Sequence, residues 1–452
     1  METTIAAIAT APGIGGVGII RLSGPQALAL GKAVFQPAKP NFFARLQTNH
    51  LYYGYAVRPI NRTVIDETLF VYMQGPRSFT GEDVVELQTH GGYLVLQSIL
   101  EELYALGARP ADPGEYSKRA FLNGRLDLTQ AEAIIDIIEA NSKAGLDAAV
   151  AQLQGKLKIE LTGINQKLLR ILSYWEAALD FPEDEITDYQ VKDARTEILA
   201  SMAQLQELLR TYQKGKILRE GLSLAIIGKP NVGKSSLLNA LLGENRAIVT
   251  SIPGTTRDTI EEWYNLDGFA LKIIDSAGIH NTLDQVERLG VEKSLELFQR
   301  ADLVCAVFDT STPMTKDDDD ILLLLTKTTK PVILVANKVD KTSNWQPKAE
   351  FLSVSAKNGT GLVDLLAEIK DRILLQTVAP INTPLLTRAR HVELLQRAYL
   401  HLEDLNQALE ILPLDFLTID LRSAWQAIGE VTGDALTDNL LDKIFKEFCL
   451  GK

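Results

Sequence analysis

Residues 228–236, GKPNVGKSS, fill every position of the spacing G-x-x-x-x-G-K-[ST]. A loop of this kind follows a strand and opens a helix, so that backbone amides converge on phosphate oxygens. Here the strand is LSLAIIG and the helix begins SSLLNALLG. The amides from Asn231 through Val232, Gly233, Lys234, Ser235 and Ser236 are expected to wrap the phosphates. The Lys234 ammonium neutralises the outer ones, which makes it a catalytic candidate, and the Ser235 hydroxyl is the expected magnesium ligand.

Three further motifs follow in order. DSAG, residues 275–278, ends the next apolar run. Asp275 is suited to hold magnesium through water and the Gly278 amide to touch a γ-phosphate, with Ser276 and Ala277 between them. NKVD, residues 337–340, follows VILVA. Asn337 and Asp340 are suited to read a guanine edge, Asp340 accepting from the ring nitrogen and the amino group, and Lys338 to lie along the base. SAK, Ser355 to Lys357, would back the base with its amides, that of Ala356 among them. This order is that of a guanine-nucleotide P-loop domain, and the segment resembles the translation-factor-related small GTPases. TSIPGTTRD then fits the first switch: Thr250, Ser251, Ile252, Pro253, Gly254, Thr255 and Thr256. Thr255 or Thr256 would complete the magnesium shell; the resemblance favours Thr256.

The position after Gly278, where many GTPases carry a water-orienting glutamine, is Ile279. Hydrolysis must be assisted from elsewhere. Arg257, Arg288 or a bound cation could supply transition-state charge, and Glu287 could position water. The Asn231 side-chain oxygen suits a monovalent cation near the phosphates.

A second glycine loop, GIGGVG at 13–18, has the spacing of a dinucleotide fingerprint but not its surroundings. That fingerprint opens a helix and needs an acid about 20 residues on. VGIIRL is instead strand-like, and no Asp or Glu occurs between Gly18 and Asp66. The expectation is a tight turn between two strands.

The elements that must position these residues follow from composition and periodicity. The chain has 452 residues, 46% of them hydrophobic, enough for two or three domains with real cores. No apolar run approaches the ~18 residues of a membrane span, and no basic-then-apolar leader is evident at the N-terminus. Cys305 and Cys449 form no metal spacing, consistent with a reducing cytoplasm. Cys449 reads as a small buried side chain or a reactive thiol. The net charge of −12 repels nucleic acid in bulk, so RNA would be met through a local patch or a partner. Residues 1–118 mix strands and short helices. Leu153, Leu157, Leu161, Ile164, Leu168, Ile171 and Trp175 fall on one face of a single long helix. From 216 to 379 continuous apolar runs alternate with helices, the pattern of a buried parallel sheet. KDDDD, 316–320, reads as a solvated helix start. After 380 a helical stripe returns with Val392, Leu395, Tyr399, Leu402, Leu405 and Leu409.

The whole chain resembles the MnmE (TrmE) family of tRNA-modification GTPases. The resemblance is carried by GGVGIIRLSG, SFTGEDVVELQTHGG, PGEYSKRAFLNGRLDLTQAEA, EAALDFPEDEI, GKPNVGKSSLLNALLG, IPGTTRD, VERLGVEKS and the terminal Cys-x-Gly-Lys. It implies a multidomain α/β and α fold: an N-terminal α+β folate-binding and dimerisation domain at 1–118, a helical bundle domain from 119–215 and 380–452, and an inserted Ras-like P-loop GTPase domain at 216–379. It implies modification of carbon 5 of the wobble uridine of certain tRNAs, with aminomethyl or carboxymethylaminomethyl as the added group. The partner would be the FAD-containing MnmG (GidA), and the one-carbon unit would come from a tetrahydrofolate derivative, 5-formyl or 5,10-methylene. A cytoplasmic homodimer is implied. The family's folate residues fall here on Arg21, Glu86, Arg125 and Lys452; its potassium ligands on Asn231, Thr250, Ile252 and Thr255; its magnesium ligands on Ser235 and Thr256; its water-orienting residue on Glu287. Ile14 stands where relatives have Arg, Ser276 where they have Thr, and Leu450 where they have Ile. The competing readings are a ribosome-assembly GTPase like Era or Der, for which no basic GxxG module follows the GTPase segment, and a regulatory scaffold GTPase.

Overall fold

The computed structural model describes residues 3–39, 43, 46–180, 188–243, 262–274, 301–345, 350–376, 383–435, 438–446, 448 and 451. The chain forms two compact units, one from 1–135, 161–176 and 418–452, the other from 136–160 and 177–417.

The first unit is built on strands β1 (Ile5–Ile8), β2 (Gly15–Ser23), β3 (Phe35–Pro37), β4 (Leu51–Val57), β5 (Val64–Met73), β6 (Val84–Gly91) and β7 (Arg109–Pro110). They lie in the order β3-β4-β5-β6-β2-β1-β7, antiparallel except for the β1–β7 pair. The GIGGVG segment lies in the turn only at Gly13 and Ile14; Gly15–Gly18 already belong to β2, with a bulge between Gly15 and Gly18, and β1 and β2 pair antiparallel from Ile5↔Ser23 to Ile8↔Ile20. No helix begins there because the β-branched Val17, Ile19 and Ile20 favour the pleated chain.

Side chains alternate across this sheet. Ala6, Ile20, Leu22, Phe70, Val85 and Leu87 pack beneath Leu30 of the helix Ala27–Ala33 and beneath Leu96, Ile99 and Leu103 of the helix Tyr93–Ala105. The opposite face carries Ile5 and Ala7 with Phe79, Ala111 and Tyr116. The helix Asp438–Phe445 closes the unit, with Leu441, Phe445 and Phe448 buried against Leu128, Ala131 and Ile135. These contacts bring the chain end to β1: a side chain at Gly451 would overlap the Ile8 carbonyl.

The stripe expected over 153–175 is divided. Leu157 through Trp175 line the buried face of the helix Lys156–Asp180, but Leu153 ends a separate helix, Lys143–Leu153. Gly155, at φ +82°, breaks the register between them.

The second unit contains β8 (Leu222–Ile227), β9 (Glu262–Leu266), β10 (Phe269–Ile273), β11 (Leu303–Asp309), β12 (Val332–Asn337) and β13 (Phe351–Val354) in the order β13-β12-β11-β8-β10-β9. All pairs are parallel except the β9–β10 hairpin. Every residue of β11 is buried, as its unbroken apolar run requires for a central strand covered on both faces. Leu237, Leu238 and Leu241 of the helix Lys234–Leu242, with Leu365 and Ile369 of the helix Leu362–Gln376, cover one face. Leu325 of the helix Lys316–Leu325 covers the other. The helix Ala389–Ala408 packs on the helix Asp188–Arg210, burying Leu394, Leu395, Ala398, Leu402 and Leu405. No helix among the described residues is long and apolar enough to cross a membrane.

Candidate functional site

β8 ends at Ile227 and the loop 228–233 leads into the helix Lys234–Leu242. Three residues of the turn depart from ordinary backbone: Gly228 at φ +155°, Asn231 at +63° and Gly233 at +97°. Gly233 is required twice. Its φ is left-handed, and a Cβ there would overlap the Asn337 side-chain nitrogen. The Lys234 ammonium donates to the Gly228 and Lys229 carbonyls at 2.8 and 2.9 Å, folding back over the loop at the helix N-terminus. Burial pushes its pKa down. Ser235 is half-buried and Ser236 exposed on the first turn.

The NKVD and SAK segments meet this loop. Asn337, at the end of β12 and 1% exposed, donates its amide to the Val232 carbonyl at 2.9 Å and accepts from the Ala356 amide at 3.1 Å. One side chain thus ties the phosphate-loop backbone to the SAK backbone. The Ser355 hydroxyl donates to Asp340 at 2.6 Å, and this bond is the first cause holding the exposed Asp340 carboxyl below its ordinary value. Lys338, at φ +67°, donates to the Asn231 carbonyl at 2.6 Å and to Asp309 at 2.7 Å. Lys357 is exposed beside them in sequence. Asn337 therefore joins Val232 to Ala356, Lys338 is bonded to Asn231, Lys234 is bonded back to the loop at Gly228 and Lys229, and Asp340 is fixed by Ser355. The arrangement offers anion-binding amides at a helix end, one ammonium, and one carboxylate ready to accept from a ring edge.

Two acids of this region carry parts that motif reading did not assign. Asp309 ends the apolar run LVCAVFD, where a buried acid is itself the available signal. Asp318 corrects the expectation for KDDDD. The segment does start a helix, with a Thr315–Asp318 capping box. Asp318, however, is 2% exposed and accepts from Lys229 at 2.6 Å. An acid at the third helical position turns inward to the cap, and Lys229 neutralises it there; its companions Asp317, Asp319 and Asp320 are exposed. Burial opposes the Asp318 charge, but donation by Lys229 and Thr315 outweighs this and lowers its pKa.

In the first unit, Arg21 and Glu86 face each other across β2 and β6 and form an ion pair at 2.8 Å. Their alternation with Ile20 and Leu87 puts them on the sheet face away from the helix Tyr93–Ala105. The Arg21 guanidinium lies 5.4 Å from the Phe79 ring centre and 5.7 Å from that of Tyr116, while the Tyr116 hydroxyl donates to the Arg21 carbonyl at 2.6 Å. Motif reading assigned neither aromatic residue, although they sit within SFTGED and PGEYSKR. Ala7, beside Ile8 and the Gly451 contact, pairs with Arg21. Arg125 is exposed after the helix Glu115–Leu122; among the described residues no hydrogen bond or ion pair joins its side chain to Arg21 or Glu86. Residues Thr250 to Thr256, Arg257, Asp275 to Ile279, Glu287, Arg288, Cys449 and Lys452 lie outside the described residues.

A family model described as the MnmE helical domain matches residues 128–449, and one described as the GTP-binding protein TrmE N-terminus matches residues 4–125. The tRNA modification GTPase MnmE of Desulforamulus reducens is 44% identical, the match covering 100% of both chains. That of Alkaliphilus oremlandii is 42% identical, again over 100% of both. That of Heliobacterium modesticaldum is 44% identical over 99% of each. Among solved structures, the G domain of the T. maritima FeoB iron transporter is 27% identical, covering 34% of this chain and 98% of that one, with a TM-score of 0.25.

Proposed function

We infer the function from one premise: over its whole length the chain belongs to the MnmE family of tRNA modification GTPases. It is a GTP-binding protein with a TrmE N-terminal domain, a helical domain and a P-loop GTPase, and a P-loop GTPase works on nucleotide with magnesium.

The assignment of the nucleotide residues is carried by Asn337, whose side chain bonds the Val232 carbonyl on one side and the Ala356 amide on the other. In this reading the loop 231–236 holds the phosphates, Asp340 accepts from the guanine ring, Lys338 lies along it, and the Ser355–Lys357 segment backs it. Ser235 fits magnesium: its hydroxyl stands on the first turn of the helix whose N-terminus faces the phosphates. Thr256 is its proposed companion, with Asp275 acting through water. Magnesium, when bound, neutralises charge on the β- and γ-oxygens. Water attacks the γ-phosphorus, the bond to the β–γ bridging oxygen breaks, and GDP and phosphate leave. Lys234 stabilises the outer-phosphate charge and Glu287 orients the water, a part that Ile279 cannot take. Asn231, Thr250, Ile252 and Thr255 are proposed as potassium ligands; the left-handed backbone of Asn231 is stabilised by the Lys338 bond to its carbonyl.

The Arg21–Glu86 pair, with Phe79 and Tyr116 against it, fits a folate: an acid to read the pterin edge, a cation for carboxylate, and aromatic walls. Gly451 at Ile8 supports Lys452 as a further contact, and Arg125 is retained as one. The proposed division of the chain is 1–118, 119–215 with 380–452, and 216–379. The proposed reaction is C5 modification of wobble uridine in certain tRNAs, by a cytoplasmic homodimer working with FAD-containing MnmG and a tetrahydrofolate-borne one-carbon unit.

The test of the nucleotide site is binding and turnover of GTP against ATP, in potassium against sodium. GTP preference with faster turnover in potassium is the expected result; ATP preference removes the guanine assignment, and equal rates in the two salts remove the potassium ligands. For the folate site, deletion of residues 449–452 should weaken 5-formyl-tetrahydrofolate binding, and unchanged affinity removes Lys452.

A further inference from the structure

We propose that Asp309 is a positioning residue for the guanine nucleotide, acting through Lys338 on the phosphate loop. The proposal rests on the guanine-site reading above and adds to it a residue outside all four nucleotide motifs.

The geometry starts from strand register. β11 and β12 are parallel, with Asp309 paired to Asn337, so Asp309 lies beside the residue that precedes Lys338. The backbone then turns: Lys338 takes a left-handed φ of +67°, a conformation disfavoured for a residue with a Cβ. That turn directs the ammonium into a fork, with the Asp309 Oδ2 at 2.7 Å and the Asn231 carbonyl at 2.6 Å. Asn231 is itself left-handed, at +63°. The chain of contacts is therefore acid, lysine, strained loop residue. Asp309 is itself fixed, since its Oδ1 accepts from the Ser311 amide at 2.8 Å and the Ser311 hydroxyl at 2.6 Å. It is 7% exposed, so its charge is poorly solvated and depends on these partners. Burial alone would raise its pKa; donation by Lys338 and Ser311 outweighs burial and lowers it.

The consequence concerns two halves of one ligand. Lys338 is the residue expected to lie along the base, and Asn231 stands in the loop expected to hold the phosphates. Asp309 sets the Lys338 side chain so that a single ammonium serves both. Without the carboxylate, Lys338 loses the charged partner that holds its side chain over the loop, and the loop loses the donor to the Asn231 carbonyl. Asp309 touches no substrate; its effect passes through Lys338.

The test is the dissociation rate of ribose-labelled fluorescent GDP from the full-length protein. Asp309→Asn keeps the size and an acceptor for Ser311, and should release GDP roughly tenfold faster, the low end of what loss of a charge-assisted hydrogen bond gives. Lys338→Met, which keeps the stem and loses the ammonium, should release it at least as fast. The double variant should be no faster than Lys338→Met alone, because one link is being broken twice. Ser311→Ala, which removes one of the two Ser311 bonds to Asp309 but leaves the carboxylate and its bond to Lys338, should speed GDP release clearly less than Asp309→Asn does. Circular dichroism melting without nucleotide establishes that each variant is folded; if Asp309→Asn is not, Asp309→Glu and the Lys338→Met rate carry the test. Wild-type release by Asp309→Asn overturns the proposal. So does an Asp309 effect of full size in the Lys338→Met background, or a Ser311→Ala effect equal to that of Asp309→Asn, since both mark Asp309 as a merely structural residue. Failure of the wild-type protein to retain GDP would instead overturn the guanine-site reading.

Discussion

β1 runs into one glycine-rich loop and β8 into another, and the two loops are then continued in opposite ways. After Gly13 and Ile14 the chain runs straight back as β2, pairing Ile8 with Ile20. After 228–233 it enters the helix Lys234–Leu242. The glycines do not make this difference; the residues behind them do. Val17, Ile19 and Ile20 are β-branched and alternate between sheet faces, whereas Leu237, Leu238 and Leu241 recur at helical spacing and bury one face. Only the second continuation turns the amides of a helix start toward its loop, and so only the second has the form of an anion site. Of the glycines in GIGGVG, Gly18 of β2 serves close packing, since a Cβ there would lie 2.7 Å from the Leu96 side chain, whereas Gly13 and Gly16 have open space.

The contrast can be broken by substitution. The largest effect is expected at Gly233→Ala, where a left-handed φ and overlap with Asn337 disrupt both the loop and its tie to the base-reading segment. Equilibrium GTP binding should weaken by roughly a hundredfold or more. Gly91→Ala, whose Cβ would overlap the Gly15 carbonyl, should act on the other loop and on a different observable. It should lower stability by about 1–3 kcal/mol in thermal melting and leave GTP affinity unchanged. If GTP affinity fell as well, the first loop would not be the structural turn described here.

Acid should separate the loops more weakly. Asp309 and Asp318, both tied to lysines at the second loop, have lowered pKa values in the folded protein. Their contribution to stability is then fully present above the ordinary carboxylate value and is lost as pH falls through the lower folded values. GDP retention measured from pH 7 down should stay flat until below about pH 4. Loss beginning near pH 6 would mean that these pairs do not govern it. The smallest effect is expected at Gly16→Ala. That residue has open space around its Cβ position and no left-handed φ, so melting should shift by no more than about 0.5 kcal/mol.

Much of the molecule was legible in the residues alone. The phosphate loop, NKVD and SAK depend on short spacings, and a short spacing is local: it survives whatever the rest of the chain does. The same holds for the apolar runs of β8, β11 and β12 and for the stripe from Leu157 to Trp175, since period and burial are properties of one segment. The break at Gly155 and the edge hairpin β9–β10 were harder to read, because one glycine or a five-residue run carries little periodic signal.

Tertiary structure decided which distant residues meet. The Asn337 side chain reaches Val232, 105 positions away, only because β12 lies beyond β11 next to β8 in the sheet. Arg21 meets Glu86 because β6 pairs with β2 in one register, and a one-residue slip would turn the pair to opposite faces. Asp318 is buried and paired although its sequence context is a run of solvated acids, and Asp309 joins Lys338 although neither belongs to a shared motif. Spacing fixes the type of an element and the chemistry it can carry; strand order and register, set by burial over the whole core, fix which chemistries share a site.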